Sequence, residues 1–493
     1  YYAAFGLPDL LFTLIAGGAL ASAFIPIFSA YLSRDDRSGA WRLASAVINT
    51  AFIVSLIASI VLASLAPWIV TQTVGRGFTV EQQQLTANLM RVILIGTVVF
   101  SISGIFMSAL QANQHFILPA LAPVMYNLGI LGGVIFLTPR YGVWGPAIGV
   151  VVGAVLHLLI QVPGLIKYHA RWTPRLDWSD PDLRRVIKLM LPRIAGLGVV
   201  QLAAIIATSL ASTLSAGSVT ALRYGWQVMQ LPETLIATAI ATAAFPTLSE
   251  FAARKQFTEL RATLSSTLRA ILLLTVPATL ALLILGRPAV QLLFERGKFT
   301  SDATDLVTFA VQGYAIGLIG QSLLEVCART FYAQQDTATP LFVAIGAMAV
   351  NILASVILKG TLGVGGLALA NSIGVTIEVL GLLIILRHRL RGVDGRRIAR
   401  SILKFAAGSI GMLIVVLIAQ SIFISLPLHL DSIGSDSLRS ALERGLPLIA
   451  ASILGAIVYV ILMIALRSEE LIGLRRSIGR RSPIEITESA AIE

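Results

Sequence analysis

The stretch from Val219 to Phe251, VTALRYGWQVMQLPETLIATAIATAAFPTLSEF, constrains this chain more than any other. At about 1.5 Å per residue, a helix of that length outreaches the roughly 30 Å hydrocarbon core of a bilayer, so it must tilt, kink or emerge. Pro232 predicts the kink, because it lacks the amide proton an interior helical position needs. Arg223, Gln227 and Gln230 recur at i, i+4 and i+7 and so share one helix face. Lipid offers that face no hydrogen-bond partner, and it is expected to look onto protein or trapped water.

The stretch has a counterpart near the start of the chain. Leu7-Pro8-Asp9-Leu10-Leu11 matches Leu231-Pro232-Glu233-Thr234-Leu235, and AFIPIFSAY, ending at Tyr31, matches AAFPTLSEF, ending at Phe251. Pro67 and Arg76-Gly77-Phe78-Thr79 pair with Pro288 and Arg296-Gly297-Lys298-Phe299-Thr300. Ala112, Gln114 and Pro119 pair with Ala333, Gln335 and Pro340, and Gly142, Val143, Gly145 and Ala147 with Gly363, Val364, Gly366 and Ala368. A near-constant offset of 220 to 221 residues at separate places marks an internal duplication.

Composition places the duplication in a membrane. Apolar residues make up 56% and charged residues 13% of the 493 positions, and mean hydropathy is +0.85, against about 25% charged in soluble domains. Apolar runs predict thirteen spans, at roughly 2–32, 42–71, 84–110, 118–138, 142–166, 186–214, 219–249, 263–286, 304–331, 340–358, 363–386, 401–425 and 445–467. With the loop after Leu32 placed in the cytoplasm, 25 of the 37 Lys and Arg fall on that side and 9 on the other; Arg193, Arg223 and Arg269 lie within spans. The positive-inside rule then sets Tyr1 outside and the C-terminus in the cytoplasm. The net charge of +12 is scattered between apolar segments rather than gathered on one module, so no nucleic-acid partner is expected. The lone cysteine, Cys327, precludes an internal disulfide, and no signal peptide is expected because no basic region precedes a short apolar run.

The expected architecture is an all-α polytopic membrane protein. Residues 1–166 form a transport lobe, 167–185 an amphipathic cytoplasmic linker, 186–388 a second lobe, 389–467 two accessory helices and 468–493 a cytoplasmic tail. The repeat places the counterpart of helix 186–214 ahead of residue 1, so the first lobe is expected to lack its opening helix in this chain. Six helices per copy give both copies one orientation, and such parallel repeats in transporters put substrate between lobes near the midplane.

Ionisable groups within spans are costly, which makes each a candidate for function. Arg223 and Arg193 are candidate anion-binding residues, with snorkelling to an interface as the alternative for each; Arg269 reads as interfacial. Asp9 and Glu233 are repeat mates beside Pro8 and Pro232, as are His157 and Glu378 at offset 221; Glu325 completes the acidic set. Glu325, His157 and Glu378 are candidates for coupling, with a buried, hydrogen-bonded histidine as the favoured alternative for His157. Asp9 and Glu233 are candidates to hold the arginines when substrate is absent, with capture of amides at a proline kink as the alternative. No metal-ligand spacing, nucleophile–base pair or phosphate loop occurs, so neither an enzyme nor a cofactor is expected.

The segments LPDLLFTLIAGGALASAFIPIFSAY, LQANQHFILPALAPVMYN, SVTALRYGWQVMQLPETL, LFERGKFT and FYAQQDTATP resemble those of the MviN-type lipid II flippases, within the multidrug, oligosaccharidyl-lipid and polysaccharide exporter superfamily. The resemblance spans nearly the whole chain. It implies fourteen helices, as two six-helix lobes and two more whose groove takes a lipid tail. It also implies alternating-access transport of undecaprenyl-diphosphate-linked peptidoglycan precursor from the inner to the outer leaflet of the bacterial inner membrane. The family's cleft arginines serve the diphosphate, and here the sequence departs: Phe12 replaces one, Trp226-Gln227 stands for an Asp-Arg pair, and Gln230 for an acidic residue. Arg223, one turn from Gln227 on the same face, is the expected substitute. The second-lobe cation site proposed in the family would want carboxylates near Ala207 and Ser355, where there are none. Expected partners are the lipid-linked precursor and membrane lipids, with the chain a monomer. The alternatives are export of another lipid-linked oligosaccharide, drug-type antiport, or a non-transporting scaffold.

Overall fold

The computed structural model describes residues 1–15, 18–174, 176, 178–425 and 436–471. Every regular element among them is helical. They fall into two compact units, Tyr1–Thr220 and Ala221–Glu493. Among the described residues, ten helices are long and apolar enough to cross a membrane, and Tyr2–Ile15, Ala23–Leu32 and Gln201–Ser212 are shorter apolar segments.

In the first unit, within the span expected over 2–32, a short turn at Tyr2–Phe5 leads into α1 (Gly6–Ile15), and α2 (Gly18–Leu32) lies beyond residues 16–17, which are outside the described residues. Next come α3 (Arg37–Gln72), α4 (Val80–Ala112), α5 (Ile117–Gly132), a π-helical turn at Gly133–Leu137, α6 (Thr138–Tyr141), α7 (Trp144–Leu159), α8 (Val162–Lys167) and α9 (Pro181–Ser212). The RGFT motif is a helix start. Thr79 caps α4 by accepting from the Gln82 amide while the Gln82 side chain accepts from the Thr79 amide, a reciprocal box that satisfies two otherwise orphaned donors.

Helices α5 and α7 touch backbone to backbone. A Cβ on Gly129 would stand 2.3 Å from Gly153 Cα, and one on Gly133 would stand 2.5 Å from the Gly145 carbonyl oxygen. Small residues allow this approach, and close packing is what joins helices where lipid removes the hydrophobic drive.

The inter-lobe linker is fastened to α3. Asn49 Nδ2 donates to the Thr173 carbonyl at 2.8 Å, Trp172 Nε1 donates to Asn49 Oδ1 at 2.9 Å, and the Thr173 amide donates to Ser45 Oγ at 3.1 Å. Trp172 and Trp178 remain exposed, as an amphipathic surface segment requires. Helix α9 packs on α1 and α2, with Ile205 in the same core as Leu11 and Val74 and Gln201 Nε2 donating to Thr13 Oγ1 at 2.9 Å. Packing therefore groups α9 with residues 1–220, whereas the repeat register begins its second copy there.

The second unit contains most of α10 (Ser218–Pro232), a π-helical segment at Glu233–Thr238, α11 (Ala239–Ala253), α12 (Phe257–Phe294), α13 (Ser301–Ala333), α14 (Ala338–Arg389), α15 (Gly395–Ser425) and α16 (Asp436–Ala465). Helix α14 is two limbs joined at Gly363. Gly363 (φ 52, ψ −128) and Gly142 (φ 55, ψ −131) share one conformation that side-chain-bearing residues avoid. Left-handed Asp35 and Lys255, Gln114 and Gln335, and His169 and Arg391 likewise stand 220 to 222 residues apart. The accessory helices α15 and α16 pack together, and α12 receives them through Leu272, Phe405, Met412 and Met463; Tyr459 donates to the Leu273 carbonyl at 2.6 Å. Arg269, expected at an interface, is instead buried against Glu469 and Glu470 just past α16, each at 3.3 Å.

The α13–α14 turn carries a pH signature. Burial alone would raise the Asp336 carboxyl, but the hydroxyl and amide of Thr339 and the Arg389 guanidinium bring it from an ordinary 3.8 to about 2. A depressed carboxylate contributes stability above its unfolded value and loses it as pH falls through the folded one. Asp336→Asn is thus expected to lower the melting temperature of the detergent-solubilised protein at pH 6, at a cost of about 1 kcal/mol after solvent screening. The gap from the parent should close as pH falls from about 4 towards 2; a gap that persists unchanged at pH 2.5 would refute this assignment.

Candidate functional site

Helix α10 presents the polar face its spacing predicts. Arg223, Gln227 and Gln230 are exposed, while their neighbours Leu222, Val228 and Met229 are buried. The Arg223 guanidinium forms no ion pair among the described residues. It lies within electrostatic range of the buried Tyr314, against which Trp226 packs edge-on with centroids 5.4 Å apart. Position 226 is therefore a packing position, which leaves Arg223 as the cation of this face.

Pro232 ends the regular helix, and the backbone widens into the π-helical turn Glu233–Thr238. A missing proline amide breaks the i→i−4 ladder, and a π-turn is one way to absorb the break. Glu233 is buried at this point and accepts from the hydroxyls of Thr234 (3.3 Å) and Thr238 (3.5 Å). Its partners are thus threonines of its own turn, neither Arg223 nor amides released by the proline.

The cation near Glu233 is one that sequence reasoning missed. Arg329 on α13 forms an ion pair with Glu325 one turn away, donates to the Glu325 carbonyl at 2.9 Å and reaches Thr242 Oγ1 at 3.5 Å. Both Glu325 and Arg329 interact electrostatically with Glu233, and with Glu378 they surround Tyr332. The i, i+4 Glu-to-Arg spacing is a sequence signal for the Glu325–Arg329 pair, but no spacing along α13 tells that the pair lies near Glu233. Glu233, Glu325 and Arg329 thus form one cluster of ionisable groups in the apolar body of the second unit, with Glu378 within electrostatic range of the neighbouring Tyr332.

In the first unit, His157, the repeat mate of Glu378, has a different setting. Its Nδ1 lies 2.6 Å from Ser103 Oγ, and Gln161 Nε2 donates to Ser103 Oγ at 2.8 Å and to the His157 carbonyl at 2.7 Å. Phe100 packs edge-on against His157 and also against Phe12 and Tyr126. The position where the resemblance leads one to expect an arginine is therefore an aromatic chain. Asp9 lies within electrostatic range of Tyr1 and Tyr126. Arg193 falls in α9, but its side chain is outside the described residues. Among the described residues, no group of three His, Cys, Asp or Glu could hold a metal ion.

A bundle of long apolar helices with a polar face and an ionisable cluster inside its spans defines a polytopic membrane transport protein. A family model described as "Lipid II flippase MurJ" matches residues 1–430. The lipid II flippase MurJ of Burkholderia cenocepacia is 32% identical over 397 residues, covering 79% of this chain and 77% of that protein. A probable lipid II flippase MurJ of Bdellovibrio bacteriovorus is 29% identical over 424 residues, covering 84% and 80%. The solved structure of a lipid II flippase MurJ in an inward closed conformation superposes with TM-score 0.76 at 25% identity, covering 97% of this chain and 93% of that one. An inward-facing MATE-family transporter shares the fold at TM-score 0.69 and 17% identity, over 80% of this chain and 91% of that one. The chain belongs to the lipid II flippase MurJ family and is a multi-pass protein of the bacterial inner membrane.

Proposed function

We propose that this chain flips lipid II, the undecaprenyl-diphosphate-linked peptidoglycan precursor, from the inner to the outer leaflet by alternating access. The observation that carries the reading is the family match across residues 1–430. The α10 face supplies chemistry suited to the cargo. A diphosphate presents oxygens that accept charge-assisted, bidentate bonds from a guanidinium, and the Gln227 and Gln230 carboxamides can donate beside Arg223. Asp9 and Arg193 are proposed to contribute in the first unit. Glu233 is proposed to act through the Glu325–Arg329 pair. With Glu378 and His157, that pair is the proposed coupling element, since a change of charge there alters the relative stability of two conformations.

A second reading is favoured by Phe12 and Trp226-Gln227, which remove charges the resemblance leads one to expect: the cargo is a different lipid-linked oligosaccharide. Reconstituted protein offered fluorescent lipid II, or an undecaprenyl-diphosphate glycan lacking the peptide, separates the two. Flipping of lipid II alone supports the first reading, and flipping of the glycan alone replaces it with the second.

The proposed orientation has a cytoplasmic C-terminus. A phosphatase reporter fused after Arg391 is expected to be inactive, and one fused near Asp436 active, because alkaline phosphatase folds only outside the cytoplasm. The reverse pattern would invert the topology.

A further inference from the structure

At the turn from α14 to α15 the second unit has an open cavity of about 630 Å³ whose lining, apolar over most of its surface, includes four arginines. Arg387 comes from the last turn of α14, Arg396 and Arg397 from the first turn of α15, and Arg261 from α12; Asp394 is the one acidic side chain on the lining. Asp394 is already engaged in an ion pair with Arg261. Arg261 also donates to the Arg391 carbonyl at 3.2 Å, which fixes its guanidinium in the wall. Arg397 has only a 3.6 Å contact with Glu469, and both side chains are 62% exposed, a geometry that contributes little. Arg387 and Arg396 form no ion pair among the described residues. The lining therefore carries uncompensated positive charge.

The wall is also shaped. Gly392 sits at φ +135, and a Cβ there would stand 2.7 Å from Arg261 Cζ. Only glycine both adopts that conformation and lets the guanidinium lie against the turn. The cavity's depth is set by its helices: one apolar span ends at Arg389 and the next begins at Gly395, so the arginines stand at the end of the hydrocarbon layer, where lipid phosphates lie.

We infer that the α14–α15 cavity binds a phosphate-bearing anion, held by Arg387, Arg396 and Arg397 against the wall that Arg261 and Gly392 form. Guanidinium forks match phosphate oxygens in pairs, and the volume lies within the range of small-ligand sites. This cavity is separate from the Arg223 face and stands whether or not the flippase reading does. Two sources offer the same chemistry at this depth: the headgroup of an anionic phospholipid and a soluble phosphate.

The test uses the full chain in detergent, with binding followed by thermophoresis. The probes are dihexanoyl phosphatidylglycerol, dihexanoylglycerol with the same acyl chains and no phosphate, and inorganic phosphate. Phosphatidylglycerol is expected to bind at least about tenfold more tightly than dihexanoylglycerol. Arg387→Gln/Arg396→Gln should abolish that preference at an unchanged melting temperature, and Gly392→Ala should weaken it. If the double variant fails to fold, the single Arg396→Gln and the wild-type comparison of the two lipids still decide. Displacement by millimolar inorganic phosphate identifies a soluble source, and resistance to it identifies the headgroup; either upholds the site. Equal binding of the two lipids by the wild type, or a preference that survives in the folded double variant, would overturn it and leave these arginines as solvated charge at a span end.

Discussion

Arg223→Ala is expected to abolish lipid II flipping in proteoliposomes while the protein still inserts and melts normally. The side chain is exposed on α10 and makes no ion pair among the described residues, so its removal strands no buried partner. Stability should therefore barely change, as is usual for exposed positions. The functional loss is different in kind. A charge-assisted bond to a diphosphate is worth about 3 kcal/mol, so losing it should slow transport by about a hundredfold. Arg223→Lys keeps the charge but loses the planar fork, and only partial rescue is expected. Arg193→Ala is expected to act in the same direction. Flipping at the parent rate by Arg223→Ala would make this arginine an interfacial anchor and move the substrate site elsewhere.

The second large effect concerns stability. Gly153→Ala is expected to lower the melting temperature of the protein in detergent by several degrees, because a Cβ at 153 would stand 2.5 Å from the Tyr126 carbonyl oxygen. That obstacle is backbone, so α5 and α7 must part. Overpacking of this sort costs about 1–3 kcal/mol or more, which exceeds the roughly 1 kcal/mol that alanine gains over glycine in a helix. Gly132 supplies the control on α5, since a Cβ there meets nothing within 4 Å. Gly132→Ala should hold or raise the melting temperature. If the two variants melt alike, the glycine contact does not join these helices.

Sequence by itself determined what is short-range. Arg223, Gln227 and Gln230 share an exposed face because helical periodicity fixes angular position without reference to the rest of the fold. The RGFT segment starts a helix because Thr79 and Gln82 satisfy each other's amides locally. Gly142 and Gly363 mark the same backbone turn in both halves because few other residues adopt their φ. Tertiary structure alone decided partnerships between residues distant in the chain. The repeat register begins the second copy at α9, and only the fold shows that α9 contacts α1 and α2, since registers carry no information about which surface a helix finds complementary. Glu233 is expected from sequence to hold Arg193 or Arg223, or amides at the proline kink; the π-turn after Pro232 places it on Thr238 and near the Glu325–Arg329 pair of α13. Phe12 stands where a charge is expected, and only the fold supplies Phe100 as its edge-on packing partner. In each case an ionisable or aromatic side chain must find its partner within a few ångströms, and only packing of whole helices brings that partner near.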